Sequence, residues 1–422
     1  PVVKEVLGPD AESVALAWRF PGVSDKDFEI LQVVSQVLYN GKAGLIDLDL
    51  NQQQKVLNSY GYPMGLADYS AFILGGLPKQ GQTLEEVKDL LLNEIKKLRA
   101  GEFDEKMLQA NINNFKLYEL QSMESNEGRA DIFVNSFING TNWEDEVTAI
   151  DRMAKLTKED IVAFADKYLK EDNYAVVYKK QGKDPNEKKM TKPEITPIVS
   201  KRDVASPFLT SIQENAVKPI EPVFLDFKKD MSQLTAKSDI PVLYKQNTTN
   251  DLFQLIYVFD MGNNNDKALG TAFDYLEYLG TSDMTPEELK SEFYRLACTF
   301  YVSPGNERTY VVLSGLNENM PAAMQLFEKL LADAQVNKEA YNNLVGDILK
   351  ARADAKLNQG QNFSRLMNYA MYGPKSPATN LLTEAELASM NPQELVDRIH
   401  NQNNYKHRIL YYARSGSEDL LL

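Results

Sequence analysis

The side chains that could build a metal centre or a nucleophilic site are few in this chain of 422 residues. It has two histidines, His400 and His407, and one cysteine, Cys298. A zinc site needs several such ligands that converge on the ion. Two histidines and one distant cysteine do not form a recognisable set. We therefore expect both histidines to lie at a helix end or on the surface, and Cys298 to be a small core residue.

Other sequence signatures of chemistry are missing. The chain contains no Gly-x-Ser-x-Gly elbow, Walker loop or dinucleotide-binding glycine pattern. Its net charge is −14, whereas nucleic-acid binders usually have a basic surplus that neutralises phosphates. No run of about 18 apolar residues exists, so no membrane span is expected. These features exclude a nucleic-acid partner and a membrane span and predict an acidic globular protein.

One stretch has acidic residues at a spacing that suits metal chemistry. Residues 270–281 read Gly-Thr-Ala-Phe-Asp-Tyr-Leu-Glu-Tyr-Leu-Gly-Thr. On a helix, Asp274 and Tyr278 would share one face, with Glu277 beside them. Ligands at i and i+4 can hold a metal while a neighbouring glutamate activates water. A tyrosine phenol is a poor zinc ligand at neutral pH, however, and one carboxylate does not replace two imidazoles.

The same stretch has a purely structural interpretation, in which the helix serves the hydrophobic core. Phe273, Leu276 and Leu279 follow the helical spacing and would point inward together. We favour this interpretation over a metal site.

The elements around this stretch occur twice along the chain. At a constant offset of 239 residues, the alternating segment 14–20 falls on 253–259, and Leu74-Gly75-Gly76-Leu77 falls on Leu313-Ser314-Gly315-Leu316. Strand alternation, apolar helix faces and helix-end glycines agree although identity is low. The stretch equivalent to 274–278 is Ser35-Gln36-Val37-Leu38-Tyr39, which has no metal ligand. A duplicated domain is the simplest explanation.

Each copy is predicted to be α+β, a mostly antiparallel sheet covered by helices. In the first copy we expect strands at 14–20, 55–62, 69–76 and 174–178, and helices at 27–39, 43–53, 83–98, 104–120, 124–138, 143–153 and 157–168. In the second copy we expect later helices at 338–357, 363–372, 383–390 and 392–400, and a last strand at 407–412.

A proline-rich stretch separates the two copies. Pro185, Pro193, Pro197, Pro207 and Pro219 fall within it, and proline is excluded from helix interiors and central strands. We therefore predict an extended, semi-rigid linker. The resulting division is a first α+β domain at 1–180, a linker at 181–222 and a second α+β domain at 223–422.

Segment 270–281 resembles the His-x-x-Glu-His helix of the pitrilysin/insulinase zinc peptidases, which is followed by a leucine and a Gly-Thr pair. Asp274 and Tyr278 stand at the two histidine positions, and Glu277 matches the glutamate. The resemblance also implies an acidic ligand on a later helix, where Asp347 and Asp354 lie, but without the histidines this likeness indicates little. The resemblance extends over nearly the whole chain. It implies that the first copy is similar to the family's second domain, and the second copy to its catalytically dead third domain, with the ferredoxin-type module of these metallopeptidases and processing peptidases.

The resemblance implies a role within a larger protein. The parent would be a zinc endopeptidase that encloses peptides between two bowl-like halves, with the zinc held in a domain upstream of Pro1. This chain would hold no cofactor and no metal, would be inactive alone, and would supply chamber wall, hinge and peptide contacts. Its partners would be peptide or unfolded polypeptide and the remaining domains of the parent chain, in the cytoplasm or the periplasm.

A second reading stays open. Related processing-peptidase assemblies contain subunits that lack a complete zinc motif, and the chain could be such a non-catalytic peptide-binding or structural subunit. A His-x-x-Glu-His sequence upstream in the full gene would distinguish the two hypotheses.

Overall fold

The strands form two separate sheets. The computed structural model describes residues 1–185, 190–198, 200 and 202–417. The first sheet contains β1 (Val2–Gly8), β2 (Ser13–Pro21), β3 (Asn58–Met64), β4 (Tyr69–Leu77) and β5 (Ala175–Gln181). The second contains β6 (Ser232–Ala236), β7 (Ile240–Gln246), β8 (Leu252–Phe259), β9 (Cys298–Pro304), β10 (Thr309–Leu316) and β11 (His407–Ala413).

Helices connect the strands of the first sheet and cover it. They are α1 (Lys26–Leu38), a π-helix (Asp47–Gln52), α2 (Leu84–Arg99), α3 (Lys106–Ser122), α4 (Asn126–Asn139), α5 (Trp143–Val147), α6 (Ala149–Met153) and α7 (Lys158–Tyr168). Threonines begin α2 and α7: the hydroxyls of Thr83 and Thr157 each accept from the backbone N–H three residues on, where an acidic side chain bonds back. Both capped helices match their prediction.

The helices after the first sheet are α8 (Pro207–Gln213), α9 (Leu269–Leu276), α10 (Pro286–Arg295), α11 (Met320–Asp333), α12 (Lys338–Ala355), α13 (Gln359–Tyr372), α14 (Glu384–Ser389) and α15 (Pro392–His400). Short 3-10 helices lie at Lys237–Asp239, Asn317–Asn319, Gly373–Lys375, Pro377–Thr379 and Gln402–Asn404.

The two sheets have the same strand arrangement. Their orders are β1-β5-β2-β4-β3 and β6-β7-β11-β8-β10-β9, so removing β6 makes them equivalent strand by strand. β1 pairs in parallel with β5, and β7 with β11, whereas the other pairs are antiparallel. The predicted fold class, two tandem α+β modules with mostly antiparallel sheets, is confirmed. Below, the first sheet with α1–α7 is the first module, and the second sheet with α9–α15 is the second.

Each module has its own apolar core between sheet and helices. Leu16, Trp18 and Phe72 of the first sheet are at most 1% exposed, as are Leu255 and Val311 of the second, which match Leu16 and Phe72. Burial of a large apolar side chain contributes roughly 1.5–3 kcal/mol, so these cores stabilise the two modules separately. Two small clusters join the modules, one around Ala43, Ala110 and Tyr294 and the other around Leu117, Leu252 and Ala297.

Several predicted elements differ in detail. The helix expected at 43–53 is wound as a π-helix over Asp47–Gln52, and the one expected at 143–153 divides at Thr148 into α5 and α6. Most described residues of the proline-rich stretch have no regular secondary structure, but the stretch also contains α8, which begins at Pro207, because proline suits the first turn of a helix. Along the described part of the chain, no helix combines the length and apolar character needed to cross a membrane.

Candidate functional site

The three motif residues lie at the end of α9 rather than along it. The helix ends at Leu276, so Asp274 is in its last turn and Glu277 and Tyr278 follow in a tightened turn. There the Tyr278 N–H bonds the Tyr275 carbonyl at 3.0 Å, an i to i−3 contact. The prediction of one regular helix through all three residues is therefore wrong. Phe273, Leu276 and Leu279 are buried, as the structural interpretation expected.

The environment of Asp274 and Tyr278 disfavours their charged forms. Burial raises the pKa of Asp274, and the neighbouring Glu277 carboxylate raises it further. Burial also raises the pKa of Tyr278 to about 12, with added repulsion from Asp347, Glu277 and Asp274. At neutral pH Tyr278 is thus a neutral phenol, which is a poor ligand for a divalent metal.

Asp347 approaches this turn from α12, and a lysine already neutralises it. The Lys79 ammonium, from the first module, lies 3.2 Å from the Asp347 carboxylate and donates to the Gln54 carbonyl at 2.6 Å. Burial raises the pKa of Asp347, and Lys79 partly offsets that effect. The second acidic candidate, Asp354, instead pairs with Lys350 at 2.6 Å on the same helix. Of the two predicted acidic positions, only Asp347 faces the motif.

Glu277 is also matched by cations. The Lys290 ammonium of α10 lies 3.5 Å from the Glu277 carboxylate. Lys42, from the loop after α1, is close enough for Glu277 to favour its charged form. Two carboxylates near the motif, those of Glu277 and Asp347, are thus already paired with lysine ammonium groups. Among the described residues, no three His, Cys, Asp or Glu side chains come together in a way that could hold a metal.

The two histidines and the cysteine form hydrogen bonds and packing contacts with nearby residues. The His400 ring bonds the Ala334 carbonyl at 3.2 Å at the end of α15. The His407 ring bonds the Tyr405 carbonyl at 2.8 Å and packs on Phe259. The buried Cys298 thiol donates to the Leu296 carbonyl, and burial raises its pKa to about 12, so it stays a thiol.

The equivalent stretch of the first module contributes to the joint between the modules. The Tyr294 hydroxyl, from α10, donates to the Gln36 side chain of α1 at 3.3 Å and lies 2.9 Å from Asn111 Oδ1 of α3. The Tyr294 carbonyl accepts from Asn114 Nδ2 at 2.8 Å. The candidate site therefore lies beside a buried polar contact between the modules.

The lysines near the motif and the tyrosine of the joint, namely Lys42, Lys79, Lys290 and Tyr294, were not predicted from the sequence. One signal was available: Asn111 and Asn114 interrupt the buried face of α3, and buried amides require partners. The identity of those partners could not be read from local periodicity.

Residues 1–115 match the family model described as the peptidase M16 inactive domain. Over these residues the chain is thus similar to the inactive domain of M16 peptidases. The expected relation to the pitrilysin/insulinase peptidases is confirmed by this match. No curated protein matches the chain in sequence.

Solved structures of peptidases are similar to the chain at low identity. Pitrilysin has a TM-score of 0.49 and 11% identity, over 99% of this chain and 46% of its own. The ferredoxin protease FusC, a mutant in complex with Arabidopsis ferredoxin, has a TM-score of 0.46 and 11% identity, over 100% and 50%. The periplasmic protease PqqL from Escherichia coli has 0.40 and 12%, over 99% and 50%. The chain thus spans about half the length of these structures.

Proposed function

We propose that this chain is a non-catalytic segment of a larger zinc endopeptidase and supplies chamber wall, hinge and peptide contacts. The observation that carries the proposal is the match of residues 1–115 to the M16 inactive domain. In this proposal the domains are 1–180 and 223–422, the linker is 181–222, and zinc is held in another domain of the parent.

The cations around the motif support an inactive role. A zinc ion at Asp274, Glu277 and Tyr278 would lie near the Lys290 and Lys79 ammonium groups, which already pair with Glu277 and Asp347. Binding a dication there would require breaking both pairs and overcoming like-charge repulsion at short range. The turn that ends α9 also removes the regular i, i+4 geometry of the family motif.

The free edges of the two sheets differ in their capacity to bind a peptide strand. At the β3 edge, the Asn51 side chain takes up both backbone groups of Ser59 at 2.8 Å each, and Pro63 has no N–H to offer. That edge is therefore blocked against strand addition.

The β9 edge is blocked only at its C-terminal end, where Pro304 has no N–H and its carbonyl accepts from Asn263 Nδ2 at 2.9 Å. The Ala297 carbonyl accepts from the Leu316 N–H, so alternation turns the backbone groups of Phe300 and Val302 away from β10. Among the described residues, no backbone group pairs with that outer side of β9. An extended peptide could add there as a further strand, a common mode of peptide recognition.

The purified 422-residue chain tests the inactive role. We expect less than stoichiometric zinc by metal analysis and no chelator-sensitive cleavage of a fluorogenic peptide. The reason is that the motif has no imidazole and its Glu277 carboxylate is already paired with Lys290. The parent protein, with its other domains, is the matched control and should contain zinc and cleave the peptide. One tightly bound zinc per chain would overturn the proposal; an inactive, zinc-free parent would instead favour the non-catalytic subunit of a processing-peptidase-like assembly.

A further inference from the structure

A cavity opens between the modules next to the motif. It has a volume of about 70 Å³, opens to solvent and adjoins the edge strand β9 through Thr299 and Phe300. Its floor is apolar and comes from the second module: Leu276, Leu279, Leu289, Phe293, Phe300 and Leu330. Such a floor favours an apolar group over water or an inorganic ion.

The rim of the cavity carries an excess of positive charge. Lys42, Lys290 and Glu277 line it, and the only carboxylate of the three pairs with Lys290 at 3.5 Å. Lys42 forms no salt bridge with any residue that the structure describes. The nearby Asp47 carboxylate does not supply one, because it accepts three backbone N–H bonds within its own loop.

The Lys42 ammonium is partly desolvated and forms no salt bridge with a described residue. Much of the Lys42 side chain is exposed, but its ammonium borders the apolar cavity, and this desolvation lowers its pKa. Glu277 and, more weakly, Asp47 oppose the effect, whereas the charge of Lys290 adds to it. A second carboxylate placed between the two ammonium groups would relieve their repulsion.

We propose that this cavity binds a carboxylate carried on a short apolar chain. The apolar end would lie among Leu276, Leu289 and Phe293, and the carboxylate would lie between Lys42 and Lys290. Two sources share this chemistry, a free branched-chain acid and the C-terminal residue of a peptide that ends in an apolar side chain. The site needs neither zinc nor hydrolysis, so it stands apart from the proposed peptidase role.

Binding to the intact 422-residue chain tests the proposal with matched pairs of probes. The first pair is 4-methylpentanoate and its neutral amide, and the second is N-acetylglycyl-leucine and its C-terminal amide, each titrated by calorimetry or ligand-observed NMR. We expect saturable binding of at least one acid, with its amide about tenfold weaker, because charge-assisted bonds to the carboxylate are lost. Which acid binds identifies the source. Equal binding of acid and amide, or no saturable binding of either acid, overturns the proposal.

Lysine variants locate the site. Lys42→Gln and Lys290→Gln should each weaken binding of the acid about tenfold and leave the amide unaffected. Lys96→Gln is the matched control, because Lys96 lies on α2 with 57% of its side chain exposed and outside the cavity. Thermal unfolding establishes that each variant is folded. Binding that is unchanged in both cavity variants, or weakened equally by the control, contradicts the assignment.

Discussion

At the residue scale, Asp47 shows how one buried carboxylate organises a loop beside the site. Its Oδ2 atom accepts from the N–H groups of Asn40, Gly41 and Gly44 at 2.8, 3.1 and 3.0 Å. Gly41 has a φ of +78°, a left-handed conformation that favours glycine. The loop so closed carries Lys42 to the cavity.

Two substitutions separate the acceptor role of Asp47 from its charge. Asp47→Ala leaves three backbone donors without their acceptor, and we expect it to lower the free energy of unfolding by about 3 kcal/mol or more. Asp47→Asn keeps one acceptor oxygen and should cost much less. Urea unfolding at pH 7 measures both. A loss from Asp47→Asn as large as that from Asp47→Ala would show that the loop requires the negative charge.

The charge of Asp47 also predicts a pH dependence. Burial raises its pKa from 3.8 to about 6, with the three N–H bonds opposing the rise. Because the folded state then holds the proton more tightly than the unfolded state, this group's contribution to stability is greatest at low pH and declines as pH rises from about 4 to 6. Compared with Asp47→Asn, the wild-type chain should lose stability over that interval in urea unfolding. Parallel curves for the two proteins would contradict this sign.

At the element scale, a tyrosine connects the helix that carries the motif to the helix that carries Asp347. The Tyr275 hydroxyl donates to the Asn337 carbonyl at 2.6 Å and accepts from the Asn337 N–H at 2.8 Å. Asn337 is the N-cap of α12, where its side chain accepts from the Ala340 N–H. The end of α9 and the start of α12 are thereby held together.

Tyr275 and Tyr278 form a matched pair for testing this connection. Tyr275→Phe removes both bonds to Asn337, and we expect a loss of about 1–3 kcal/mol in the free energy of unfolding. Tyr278→Phe should change it by less than about 0.5 kcal/mol, because no described residue hydrogen-bonds the Tyr278 hydroxyl. Chemical unfolding of both variants measures the difference. Equal losses would mean that Tyr278 has a structural role at the motif.

At the scale of the whole molecule, the two modules share a buried polar joint. Tyr294 of the second module meets Gln36, Asn111 and Asn114 of the first, and Lys79 of the first meets Asp347 of the second. Buried polar groups are costly when one partner is lost, so this joint favours one relative position of the modules.

The joint predicts that the modules unfold together. Both tryptophans, Trp18 and Trp143, belong to the first module, so their fluorescence reports on it alone, whereas circular dichroism reports on both modules. In the wild-type chain the two signals should give one coincident transition. Tyr294→Ala should separate them, because it removes the hydroxyl bonds to Gln36 and Asn111 and the ring that packs with Ala43 and Ala110.

Tyr341→Ala is the control for this experiment. Tyr341 is buried within the second module, donates to the Leu387 carbonyl at 2.7 Å and makes none of the hydrogen bonds of the joint. Its removal should destabilise the second module and shift both signals together. Separate transitions already in the wild-type chain would contradict the predicted coupling.

Local sequence patterns were sufficient to predict the repeat of two modules, most helix and strand positions, and the small number of residues that could bind a metal. Thr83 and Thr157 begin helices, and 14–20 alternates as a strand, because caps and periodicity are encoded within a few residues. The resemblance at 270–281 indicated the family for the same reason, since it depends on a short segment.

Only the tertiary structure decided what surrounds the motif. α9 ends at Leu276. Lys79 forms a salt bridge with Asp347, and Lys290 forms one with Glu277. The outer edge of β3 is blocked, whereas the backbone groups of Phe300 and Val302 on the β9 edge are available. Each of these contacts joins residues that are far apart in the chain or depends on how neighbouring elements pack. Such pairings are set by the burial of whole faces against one another, and no local sequence window contains that information.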